Sequence, residues 1–185
     1  MLRTVSALSA LMLTLAAATN VRAATVVVGG LAGECSYRAH AGQHAPDDLE
    51  VCSRALSFEA LSNHDLAGTY VNRGAMELMA RMNDVAHADF QAALRLVPRM
   101  GEAHIGEGAY LVGMARFGEA EGEISRGLQL GSEQPEKGYY IRAMARWGQD
   151  DFKGAYDDFH KAIQLKPGWS LPREQLKNFR VETTQ

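Results

Sequence analysis

The stretch PEKGYYIRAMARWGQDDFKGAYDDFHKAIQLKPG, Pro135–Gly168, carries the clearest statement of the fold. Its first part reads as a helix over 135–148, with Pro135 suited to a first turn because its missing N–H would be unpaired there anyway. Asp150 or Asp151 can cap a second helix over 151–165. In that helix Ala155, Phe159 and Ala162 recur at three-to-four spacing, and Pro167-Gly168 ends it. Two short helices joined by a tight turn form one unit that cannot bury its apolar face alone.

Working outward, the unit repeats at offsets of 35 and 34 residues. Gly74, Gly108 and Ala143 correspond; so do Ala86, Ala120 and Ala155. The same shifts align Phe90, Ile124 and Phe159, then Ala93, Gly127 and Ala162, then Leu96, Leu130 and Leu165. Pro98 and Pro167 close the outer units, with Ser132 in the middle place. The extra residue falls near Gly131–Pro135, between helices, where an insertion is cheapest. The pattern predicts helices over 67–81, 101–115, 118–130, 135–148 and 151–165, and between the first two of these another that begins after Asn83 or Asp84, either able to cap it, and is stopped by Pro98. A helical glycine costs about 1 kcal/mol against alanine. Gly74, Gly108 and Gly127 are explained if two backbones meet there, with Phe90, Ile124 and Phe159 filling the gaps. Gly113 and Gly122 have no such explanation.

These residues resemble the tetratricopeptide repeat family. The resemblance rests on Tyr70, Gly74, Ala86, Phe90, Ala93 and Pro98; on Gly108, Phe117, Ala120 and Gly127; and on Tyr139, Ala143, Phe152, Ala155, Phe159, Ala162 and Pro167. The second unit departs most, with His104 where an aromatic is usual, Gly127 for alanine and Ser132 for proline. The resemblance implies an all-α solenoid, antiparallel helix pairs stacked as a right-handed superhelix, serving protein–protein interaction. It places the first helix of each pair on the inner face. By residue, that face holds Val71, Asn72, Ala75, Leu78 and Met79; Ile105, Ala109 and Val112; and Lys137, Tyr140, Ile141, Met144 and Trp147. Mostly apolar and rich in adaptable methionine, it suits a peptide or amphipathic helix of a protein partner, or a second copy of the chain. The alternative use of Met79, Met144 and Trp147 is filling between helices. Asn72 and Lys137 alone, beside Val71 and Ala75, do not make a clamp for a chain-terminal carboxylate.

The flanks read as covers, which a repeat stack needs at both ends. Leu49, Cys52, Ala55 and Leu56 fit a helix started by Asp47 or Asp48, the second half of a degenerate unit whose shortened first helix is held by Cys35. Residues 24–33 read as a loosely packed arm, with a short strand as the alternative. After the repeats over 67–168, Ser170 can cap a helix beginning at Pro172, with Leu176 and Phe179 covering the last pair.

The chain opens Met1-Leu2-Arg3, then runs 14 largely apolar residues from Val5 to Ala18. With Val21-Arg22-Ala23 following, residues 1–23 read as an export signal cut after Ala23, Ala18 being the second choice. An uncleaved anchor is the alternative, but a span needs roughly 20 apolar residues, and extending this one would bury Arg22. Leu31–Cys35 fails as a lipidation signal because Glu34 separates Gly33 from the cysteine. Periplasm is the expected compartment, ahead of secretion or membrane association. Removing Arg3 and Arg22 leaves 17 basic against 22 acidic residues, a charge of −5 over 162 residues. That balance offers no basic surface for nucleic acid. In an oxidising compartment Cys35 and Cys52, the only cysteines, can join, stabilising by roughly 3 kcal/mol across a 17-residue separation.

Chemistry has little to stand on. No nucleophile elbow, zinc-protease pair, phosphate loop or dinucleotide fingerprint occurs, so no catalytic residue, metal or cofactor is assigned. Gly106-Glu107-Gly108 lies within a repeat helix. His40 and His44, four apart and near Cys35, are the one metal-like grouping, and a surface pair is the plainer reading. A small enzyme using His40, His44 or His64 stands as the alternative to a binding module.

Overall fold

The computed structural model describes residues 30–180, and within them the chain is helical throughout. The expected export signal, its cleavage site and residues 24–29 lie outside that range. The elements are α1 (Gly30–His40), α2 (Pro46–Phe58), α3 (Asn63–Met79), α4 (Asn83–Leu96), α5 (Gly101–Gly113), α6 (Phe117–Leu130), α7 (Pro135–Trp147), α8 (Phe152–Leu165) and α9 (Ser170–Leu176). Each odd helix packs on the even one that follows, and α3, α5 and α7 also stack on one another. The result is an α-solenoid of antiparallel pairs closed by a short terminal helix.

One turn geometry links the helices of every pair. Arg81, Ala115 and Asp150 lie in the left-handed region, with φ of 63°, 56° and 62°, and they are spaced by the repeat offsets. After each, an amide reaches back five residues: Met82 N to Glu77 O at 2.8 Å, Arg116 N to Leu111 O at 2.9 Å, Asp151 N to Arg146 O at 3.0 Å. This is the Schellman arrangement, which pairs carbonyls that a helix end would otherwise leave unpaired. The α1–α2 turn repeats it with Gly42 at φ 74° and Gln43 N to Arg38 O at 3.0 Å. The amino-terminal pair thus shares the turn of the three regular units.

Several helix starts differ from the sequence reading. Helix α3 begins at Asn63, because Ser62 accepts a bond from Asp65 N at 3.2 Å and donates to the Asp65 carboxylate at 2.7 Å. Asn83 and Asp84 do not cap α4: Asn83 is its first residue and Met82 precedes it with no side-chain cap. Asp151 does cap α8, accepting from Gly154 N at 2.9 Å. At α2, Asp48 reaches back to Ala45 N at 2.9 Å from within the first turn. Ser170 is the first residue of α9, not its cap. Gly30–Gly33, expected in an arm, already belong to α1, whose Ala32 N is held by the Glu59 carboxylate at 2.8 Å.

The core is a row of small-against-large contacts. A Cβ on Gly74 would lie 2.8 Å from Phe90 and one on Gly106 2.4 Å from it, so the Phe90 ring is wedged between α3 and α5. On Gly108 it would lie 2.3 Å from Ile124. Gly101 and Gly127 meet backbone to backbone, each added Cβ falling 2.7 and 2.6 Å from the other's carbonyl oxygen. The aligned residues Ala86, Ala93, Ala120, Ala143, Ala155 and Ala162 are fully buried, as are Phe90, Ile124 and Phe159. Cys35 and Cys52 are joined, fully buried, and packed on Met76 with Ala39 and Val51.

Candidate functional site

The residues assigned to the inner face fall in three places, two of which share Met144 and Trp147. Val112, Met144 and Trp147 come together around an apolar depression of about 410 Å³ between α5 and α7. Phe117, Gly148 and Gln175 complete it. Sequence reading missed these three, although Phe117 and Gly148 touch: a Cβ on Gly148 would fall 2.5 Å from the Phe117 ring.

A second group faces the carboxy-terminal cover. The Tyr140 ring meets Trp169 at a tilt, with centroids 4.9 Å apart, and Trp147 meets Phe179 edge-on at 5.0 Å. Both, with Met144, pack on the cluster of Ala143, Ala155 and Phe159. Burial pushes the Tyr140 hydroxyl above its ordinary pKa. Lys137, half-buried at the start of α7, is pulled below the usual lysine value by burial and then by Lys166. The last group is not gathered into either place. Ile105 is buried against Gly127 and Gly138, so it belongs to packing between repeats. Val71 is part-buried beside Ala67 and Ala93. Asn72 and Leu78 are part-buried on α3, and Met79 is 43% exposed at its end.

The histidine grouping considered as a metal or enzyme site takes another form. Cys35 is bonded to Cys52. His40 and His44 turn their Nδ1 atoms to the carbonyls of Ser36 and Gly42, at 2.7 and 3.0 Å, and the His40 ring also meets the Gln134 side chain. His64 is exposed. Among the described residues no three metal-ligating side chains gather, and no helix is long and apolar enough to cross a membrane.

The polar residues that do converge lie between the pairs. Arg73 donates two parallel bonds to Asp89, at 2.7 and 2.8 Å, and a third to Ser53 Oγ on α2 at 3.0 Å. Its guanidinium lies 5.7 Å from the Tyr70 ring. Sixty-nine residues on, Arg142 does the same with Asp158 (2.8 and 2.8 Å), Ser125 (3.1 Å) and the Tyr139 ring (5.2 Å). Each arginine clamps its own pair and reaches the preceding one. Glu77, buried beside the first clamp, has an oxygen without a hydrogen-bond partner. Burial, then the Asp89 charge, raises its pKa to about 7 against the pull of Arg73.

In the central unit the repeat offsets place His104, Glu107 and Glu123 where the outer units have Tyr, Arg and Asp. A groove of about 780 Å³ opens there between α4 and α6, floored by α5. His104 Nδ1 lies 2.7 Å from the Glu123 carboxylate and its Nε2 3.1 Å from Pro98 O. His87 of α4 bonds Glu107 at 2.9 Å and stacks on Tyr110 at 4.4 Å. Gly122, unexplained by packing, lines this groove.

No family model matches the chain. No curated protein sequence matches it either. Solved structures do. The TPR domain of Arabidopsis OM64 aligns with a TM-score of 0.57 at 19% identity, over 64% of this chain and 98% of that one. The RS-1 ArsTM double mutant of MamA gives 0.54 at 17%, over 77% and 76%. MamA itself gives 0.53 at 16%, over 84% and 78%. At these identities the likeness is one of architecture: the chain has the tetratricopeptide-like α-solenoid fold.

Proposed function

We propose that this chain is an exported, non-catalytic interaction module that holds a peptide or amphipathic helix of a partner protein against its inner face. The apolar depression at Val112, Met144 and Trp147 supports the reading. It offers a socket for one large apolar side chain, lined by a flexible methionine and a rigid aromatic. The expected partner resides in the cell envelope. The arrangement of residues 1–23 and the Cys35–Cys52 bond both favour export.

A photo-reactive residue placed at Val112, and as a control at exposed Gln129 on α6, tests the binding face in envelope extracts. Crosslinking to one protein from 112 and not from 129 is expected. Capture only from 129 overturns the placement, and capture of the chain itself replaces the partner by a second copy. Sequencing the amino terminus of envelope-fraction protein tests export: a start at Ala24 is expected, and an intact Met1 overturns it.

A further inference from the structure

We infer that the groove between α4 and α6 is a binding site for an arginine side chain presented by a partner protein, separate from the depression between α5 and α7. The two outer repeats show what such a cleft holds. Arg73 stands on α3 between α2 and α4, and Arg142 on α7 between α6 and α8. Each gives its guanidinium to an aspartate on the following helix and to a serine on the preceding one. The central repeat keeps acceptors at those places and brings no guanidinium of its own. Glu123 stands in the aspartate position, Gln91 lies one offset before Ser125, and the floor position holds Glu107. All three line the groove of about 780 Å³, a size within the range of ligand-binding clefts.

The atoms left over in the groove suit a cation. His87 and His104 each bond one carboxylate through its Oε2 atom. The Oε1 atoms of Glu107 and Glu123 have no hydrogen-bond partner among the described residues. The one buried side-chain oxygen left unpaired there is that of Glu77, so these two are open to solvent. Glu107 as a whole is only 7% exposed, and a charge set against it is partly shielded from water, where attraction between charges is stronger. A guanidinium matches this set, because its planar fork of donors serves a carboxylate and an amide oxygen at once. Gly122 provides the room. It lowers helix propensity, nothing lies within 4 Å of an added Cβ, and the outer repeats have Ala88 and Asp157 in its place. Arg116 is bound to Glu119 at 2.6 Å. Arg95 and Arg126 line the groove, exposed and without an ion pair among the described residues. They repel a wholly basic segment, so the arginine comes from one that carries acidic residues beside it.

The test is a titration of the full chain at low ionic strength with a blocked pentapeptide that has arginine at its centre and glutamate at both ends. Backbone amide NMR signals of Gln91, Gly122 and Glu123 report on the groove. Saturable shifts at these positions are expected. Binding should weaken by about threefold or more when lysine replaces the arginine, and by about tenfold or more when uncharged citrulline does. Glu107→Gln is expected to weaken it by about fivefold or more, with the rest of the spectrum unchanged. Grafting the outer-repeat residues, His104→Tyr with Glu107→Arg and Glu123→Asp, sets the chain's own guanidinium in the cleft and is expected to abolish binding. Equal binding of the arginine and citrulline peptides, a folded graft that still binds, or the absence of shifts at the groove overturns the proposal. Free arginine bound more tightly than the peptide overturns a protein as the source.

Discussion

The outer repeats and the central one share a backbone and differ in what fastens it. At both ends an arginine spans from its own pair to the preceding one, bonded to aspartate and serine and lying near a tyrosine ring. In the middle the same positions hold His104, Glu107 and Glu123, and a groove takes the place of the guanidinium. Packing changes in parallel: Gly101 and Gly127 meet at the place where the first repeat has Ala67 and Ala93. The backbone repeat therefore rests on small-against-large packing and on the turn geometry, which all units keep, whereas the polar clamps are an addition that one unit does without.

Substitutions at the clamps should separate the units most strongly. Arg73→Ala strands the buried carboxylates of Asp89 and Glu77 and is expected to cost about 3–5 kcal/mol in denaturant unfolding. Arg142→Ala should cost roughly half that, because Arg146 remains 3.1 Å from Asp158. Glu107→Gln in the central unit should cost under about 1 kcal/mol. Equal costs at all three would erase the distinction. Glu77 adds a pH dependence confined to the first repeat. Its folded pKa lies above its unfolded value, so the folded state keeps the proton longer. The contribution of Glu77 is then fully present below about pH 4.5 and is lost as pH rises to about 7, roughly 3 kcal/mol in all. A Glu77→Gln chain should show that slope removed in unfolding curves taken across this range.

The close glycine contact gives a smaller effect. Gly127→Ala sets a Cβ 2.6 Å from the Gly101 carbonyl, and backbone cannot swing aside as a side chain can. The expected cost is about 2 kcal/mol after the gain in helix propensity, with Ala93→Gly in the first repeat losing about 1 kcal/mol through propensity and lost burial. Opposite in sign is Ala115→Gly, which relieves a left-handed alanine and should stabilise by about 1 kcal/mol. Thermal unfolding of the variant reads it directly.

The repeat phase, the six repeat helices and their small–large packing were legible because burial imposes a period, and a period survives changes of individual residue. What the shift alignment passed over obeys other rules. The start of α3 is set by Ser62 and Asp65, which lie outside the repeated positions. The three left-handed turn residues carry no glycine, so Arg81, Ala115 and Asp150 look ordinary in sequence. The clamps were within reach: Arg73 with Arg142, and Asp89 with Asp158, recur at the same offsets as the apolar set, but alignment by apolar residues left them unread. Gln175 in the apolar depression comes from α9, beyond the period altogether. Gly113 remains without a steric reason, as nothing lies within 4 Å of an added Cβ.

The disulfide has a consequence for how the stack comes apart. A solenoid frays from its ends, because a terminal unit has one neighbour instead of two. At the amino-terminal end Cys35–Cys52 fastens α1 to α2, so opening that pair does not release a free chain. At the other end α9 has seven residues and docks through Leu176 and Phe179. Unravelling is thereby given a direction, from the carboxy terminus inward, and the last repeat is the part of the molecule that a protease or a pulling force meets first.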